Sequence, residues 1–131
     1  MNEATTSASE RITAEVTSWP GVVAGSGERG EFFFKLGKRE IGHLHGDHAA
    51  HLFFPKATWA QLREEGRIEH HPVFPEREGP AARRIASEED VDDVIALMRL
   101  SYEEARRRAD SASSSASSSR STAARRTRTI E

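Results

Sequence analysis

Residues 31–54, EFFFKLGKREIGHLHGDHAAHLFF, read as three short strands separated by two tight turns, and they gather four histidines, His43, His45, His48 and His51, into nine positions. In the first strand Phe32, Phe34 and Leu36 alternate with Glu31, Phe33 and Lys35, the pattern of a sheet packed on one side. Gly37 and Lys38 then reverse the chain. Strict alternation through the second strand, Arg39 to His45, puts Ile41, His43 and His45 on one face and Gly42 and Leu44 on the other. Gly46 and Asp47 make the second turn. The third strand, His48 to Phe54, sets His48, Ala50, Leu52 and Phe54 against Ala49, His51 and Phe53. Side chains of neighbouring antiparallel strands meet across the pair, so register decides whether His43 and His45 approach His48 or His51.

Outward from this meander, the upstream residues 7–19 predict a helix. Ser7 and Glu10 have the capping-box spacing, and Ile12, Val16 and Trp19 recur at helical intervals. Pro20 and Gly21 end it, and Val22 to Ala24 is a candidate strand. The GSGERG loop, Gly25 to Gly30, contains a G-x-G, but a strand follows it instead of a helix whose N-terminus would receive a phosphate, so it reads as a turn. Downstream, Pro55 suits the first turn of a helix carrying Trp59 and Leu62 inward and closed by Gly66. Arg67 to Phe74 returns as a strand with Ile68, His70 and Pro72 on one side and Glu69, His71 and Val73 on the other. Pro72 and Pro75 argue for an edge position. A polar turn, Pro75 to Pro80, leads to a last strand, Ala81 to Ala86. Ser87 and Asp90 then cap a helix with Val91, Val94, Ile95, Met98, Tyr102 and Ala105 on its inner stripe and arginines 106–108 at its end.

The predicted organisation is a flexible N-terminus (1–6), one domain (7–109) and a Ser/Arg-rich tail (110–131) too poor in apolar residues to offset its ordering entropy. The fold expected is α+β, a mostly antiparallel sheet with three helices packed on one face and a disordered C-terminal tail. With 131 residues in all, the part that can bury a core is about 105 residues, near the small end of independent folders. The chain has no cysteine, which excludes disulfides, thiolate catalysis and cysteine-held zinc. No apolar run approaches the roughly 20 residues of a membrane span, and the opening MNEATTSASE lacks the basic and apolar regions of a secretory signal, so a cytoplasmic location is expected. Net charge is −2; residues 111–131 carry four arginines against one glutamate, which leaves −5 on the rest. An acidic body of this kind does not suit a nucleic-acid-binding domain.

Three segments, FKLGKREIGHLHGDHAAHLFFPK, HHPVFP and EEDVDDVIALMRLSYE, together resemble the small luciferase-domain family of bacteria, archaea and fungi, in order and spacing, over residues 8–105. The resemblance implies a compact α+β domain and names no reaction or substrate. After HHPVFP many members look like P-x-S-G-W-V, whereas this chain reads Glu76-Arg77-Glu78-Gly79-Pro80-Ala81, without the tryptophan. The element order is also similar to frataxin-like and competence-regulator-type small domains, a likeness of fold alone.

The histidines are the candidates for chemistry. His43 and His45 lie two apart on a strand, so both rings project from one face, and Asp47 with His48 or His51 could complete a zinc, nickel or iron site, with His70 and His71 as further ligands. The alternative is a set of histidines that hydrogen-bond to one another and to the sheet, since no strict motif such as H-E-x-x-H is present. No serine stands in G-x-S-x-G, the helix-end carboxylates read as solvated, and Trp19, Trp59 and the phenylalanines read as core. Three functions follow. The preferred one is a module binding a small ligand or a protein through His43, His45, His70 and His71. The second is a metal-dependent, hydrolase-type enzyme using His43, His45 and His51, with Asp47 orienting a ligand or acting as base; the cofactor would be a divalent metal. The third, a nucleic-acid-associated regulator, rests on the fold likeness and on the basic tail, which reads more simply as a solubilising segment. No membrane partner is expected.

Overall fold

The computed structural model describes residues 6–71 and 77–126, with side chains as far as residue 111. Its elements, in chain order, are α1 (Ala8–Val16), β1 (Val22–Ser26), β2 (Phe32–Leu36), β3 (Arg39–His45), β4 (Ala49–Phe53), α2 (Lys56–Glu64), β5 (Glu69–His70), β6 (Pro80–Arg84) and α3 (Glu88–Arg126). All described strands join one sheet in the order β1-β2-β3-β4-β6-β5, and every pairing is antiparallel. β5 is therefore an edge strand, as the nearby prolines predict. Residues 72–74, the end of that strand in the sequence reading, and residues 75–76 of the expected turn lie outside the described residues, as do residues 1–5 of the expected flexible N-terminus.

The helices cover one face. Phe34, Leu44, Ala50, Leu52 and Ala81 from the sheet, Ile12 and Val16 from α1, Trp59 and Leu62 from α2, and Val91, Val94, Leu97, Met98 and Tyr102 from α3 form one apolar cluster. The sequence's alternation accounts for the sheet half of it and the 3.6-residue period for the helical half. The caps form as their spacing predicts: Ser7 and Glu10 make a reciprocal box at α1, and at α3 the Ser87 Oγ accepts from the Asp90 N–H while Asp90 accepts from the Ser87 N–H. Ion pairs of Arg67 and Arg83 tie the opposite end of the sheet to α3. Arg67 donates to Asp93 at 2.7 Å and Arg83 to Asp90 at 2.6 Å. The last buried residue of α3 among those whose side chains are described is Ala105, and residues 106–111 are all exposed. The sequence reading begins its disordered tail at residue 110; α3 continues to Arg126, and the side chains from residue 112 onward lie outside the described set. Among the described residues no helix is long and apolar enough to cross a membrane.

One register detail departs from strict alternation. Phe34 pairs with Gly42 and Lys35 with Glu40, so Ile41 is an extra residue in β3, a β-bulge. The reading that put Ile41 on the histidine face is corrected: Ile41 is fully buried in the core. The Ile41 carbonyl, out of the ladder, accepts a hydrogen bond from the Ser101 hydroxyl of α3 at 2.7 Å. Gly42 beside it leaves room for α3, since a Cβ there would stand 2.8 Å from the Met98 Sδ and 3.0 Å from the His51 carbonyl oxygen.

The face away from the helices carries Val23, Phe33, Lys35, Glu40, His43, His45, His51, Phe53, Glu69 and His71, on the evidence of register and alternation. Val23 and Phe53 are 64% and 59% exposed there.

Candidate metal centre

Register brings the histidines together. β3 and β4 pair with His43 directly opposite His51 and His45 opposite Ala49, so His51 sits across from one histidine and diagonal to the other. His48 stays in the exposed turn, its N–H donating to the His45 carbonyl at 3.3 Å. Ring centroids are 5.2 Å apart for His43 and His51, 4.9 Å for His43 and His45, and 4.4 Å for His45 and His51. One ring nitrogen from each of the three lies within 4.8 Å of the others. Bonds of 2.0–2.1 Å at tetrahedral angles require nitrogens about 3.4 Å apart.

The bulge adds a fourth participant. Glu40 and His43 are three apart, and regular alternation would put them on opposite faces. The extra residue at Ile41 restores them to one face, where the Glu40 Oε2 lies 2.7 Å from the His43 Nδ1. A carboxylate on Nδ1 holds that ring's proton there and turns the Nε2 lone pair outward, as in the carboxylate–histidine–metal arrangement.

His51 is the most perturbed group. Its Nδ1 is buried and has no hydrogen-bond partner among the described residues. Burial, followed by the neighbouring His71, His45 and His43, pushes its pKa down to about 4. The imidazole is thus neutral at pH 7, the form that ligates metal. His71 packs on it with ring centroids 4.1 Å apart, and burial together with His43 and His45 lowers the His71 pKa as well.

The remaining candidates separate. His70 points to the helix side, its ring 4.8 Å from Trp59, so the two consecutive histidines of HHPVFP serve different faces. Asp47 accepts from the Ser9 N–H at 2.8 Å, which fastens the β3–β4 turn to the start of α1. It does not join the three mutually close histidines. Glu40, whose carboxylate meets His43, escapes a reading by motif. Glu40 had a legible signal, because a glycine inside a strand pattern marks a bulge that changes which residues share a face.

The fold and this face define a small α+β domain with a histidine cluster on its open sheet surface. A family model described as Luciferase domain matches residues 38–101, a span that includes every residue of the cluster. No curated protein and no solved structure matches the chain.

Proposed function

We propose that this domain is a metal-binding module whose divalent ion is held by His43, His45 and His51 on the open face of the sheet. The observation that supports it most is the His51 Nδ1, buried with no hydrogen-bond partner among the described residues and set inside a group of converging imidazoles. An unsatisfied buried polar atom costs about 1–3 kcal/mol, and an ion bound by the cluster gives such groups a partner. The Glu40 contact to His43 and the neutral state of His51 point the same way, since both fit ligands to a cation. An all-imidazole donor set suits zinc, nickel or iron. Three protein ligands leave a coordination position open, as catalytic ions require and closed structural sites do not. Such an ion supplies a Lewis acid and a bound water of pKa about 7.

Elemental analysis of the untagged, purified chain tests this. About one ion per chain is expected after incubation with zinc and gel filtration, with little in a His43→Ala, His45→Ala variant that keeps its circular dichroism. A folded wild-type chain that retains no zinc, nickel or iron overturns the reading. That outcome would favour the metal-free binding module, for which the exposed Phe53 ring beside the same histidines speaks.

A further inference from the structure

We infer that the depression between His51 and Arg84 takes a phosphomonoester, one phosphoryl oxygen entering the ion's open position and two others meeting the fork of Arg84. The inference rests on the metal reading above and names the ligand class of the same site. Register sets the distances. His45 of β3 stands opposite Ala49 of β4, and Ala49 opposite Arg84 of β6, so the three form one row across the open face. At a strand spacing of about 4.8 Å, the Cα atoms of His45 and Arg84 are roughly 10 Å apart. In that row only the Ala49 methyl group stands between them.

The next row runs through His43, His51, Ala82 and Glu69, over β3, β4, β6 and β5. Ala49 and Ala82 are thus neighbours on one face. Two small side chains together leave a depression of about 550 Å³, whose walls include His48, His51, Glu69 and Arg84. That volume lies within the roughly 300–1,000 Å³ of small-molecule sites. A bare phosphate would not fill it, so there is room over the alanines for the esterified group.

Charge and geometry select the ligand. Arg84 is exposed, and its guanidinium makes no ion pair or hydrogen bond among the described residues. Strand parity is the cause: Arg83, one position earlier, faces the helices and donates to Asp90, which leaves Arg84 alone on the open side. A bound divalent ion brings two positive charges and Arg84 a third, against Glu40 beside His43 and Glu69 at the end of the second row. The site is then cationic, in a chain whose net charge is −2. A guanidinium fork takes two oxygens in parallel while the ion takes one more. A carboxylate has only two, whereas a phosphomonoester has three and carries about 1.5–2 negative charges at pH 7.

Cobalt(II)-loaded full-length chain provides the test, because its visible absorption reports a change of ligand at the ion. Titration with phenyl phosphate is expected to give a saturable spectral change, and the uncharged ester trimethyl phosphate none. Arg84→Gln is expected to weaken phenyl phosphate by about tenfold or more with cobalt uptake unchanged. Ala49→Leu, which fills the space between the ion and Arg84, is expected to weaken it likewise with cobalt uptake retained. Cobalt bands that ignore phenyl phosphate, an equal response to trimethyl phosphate, inorganic phosphate binding as tightly as the ester, or undiminished binding in either variant overturns the inference and leaves the metal reading standing. A folded chain that takes up no cobalt overturns both.

Discussion

The Ser101 hydroxyl donates to the Ile41 carbonyl at 2.7 Å and so joins the middle of α3 to the bulged residue of β3. Ser101 is a buried polar residue in a helix face otherwise lined by Val94, Leu97, Met98 and Tyr102. Its partner is the carbonyl of the extra residue in β3. The bulge in turn keeps Ile41 in the core while Glu40 and His43 face outward together, so a contact under the sheet supports an arrangement above it.

Ser101→Ala removes that donor and leaves a buried carbonyl unsatisfied, at a cost of about 1–3 kcal/mol in urea unfolding. Zinc affinity is expected to fall as well, because His43 and Glu40 depend on the bulge. A variant with unchanged midpoint and affinity would show that the hydroxyl does not hold the bulge.

Glu40→Gln separates orientation from stability. Glu40 is 43% exposed and makes its contact to the His43 ring alone among the bonds described for it. Unfolding should move by no more than about 0.5 kcal/mol, while zinc affinity, measured by competition with a chromophoric chelator, should fall roughly ten- to a hundredfold. Equal affinity would mean that the carboxylate does not set the His43 ring.

The metal-free protein should lose stability as pH falls from 6.5 toward 4. The folded chain holds the His51 pKa at about 4 against an ordinary 6.5. Between those values the unfolded chain binds a proton that the folded one does not, so His51's contribution is complete above 6.5 and declines as pH drops through the window. His71, also lowered from 6.5, adds in the same sense. Glu31, Asp47, Asp90 and Glu104 are lowered from 4.5 or 3.8, and their losses come below those values. Urea midpoints measured from pH 7 to 4.5 therefore isolate the histidines. His51→Gln should flatten the slope, and a variant with the wild-type slope would contradict the assignment.

Much of this fold is legible because period-two and period-3.6 patterns are clean where they matter. Phe34, Ala50, Leu52 and Phe54 are buried as alternation predicts, and Val91, Val94, Met98, Tyr102 and Ala105 face the sheet. His70 and His71 separate to opposite faces for the same reason. The failure falls at Ile41. An inserted residue leaves hydrophobicity unchanged and shifts only parity, so alternation read through it puts Ile41 beside the histidines and hides Glu40 from His43. The choice of His51 over His48 is likewise a matter of register, which depends on how the turn closes and on the whole sheet. Proximity in sequence groups Asp47 with the histidines, yet its carboxylate serves the α1 N–H of Ser9, a contact across 38 positions.

X-ray absorption at the zinc edge of the loaded, untagged chain tests the central claim most directly, because it counts the imidazoles on the ion. Three nitrogens of imidazole at about 2.0–2.1 Å, with a light atom completing the shell, are expected, falling to two in His51→Ala. A six-oxygen shell of hydrated zinc, or a spectrum unaltered by losing His51, would contradict it.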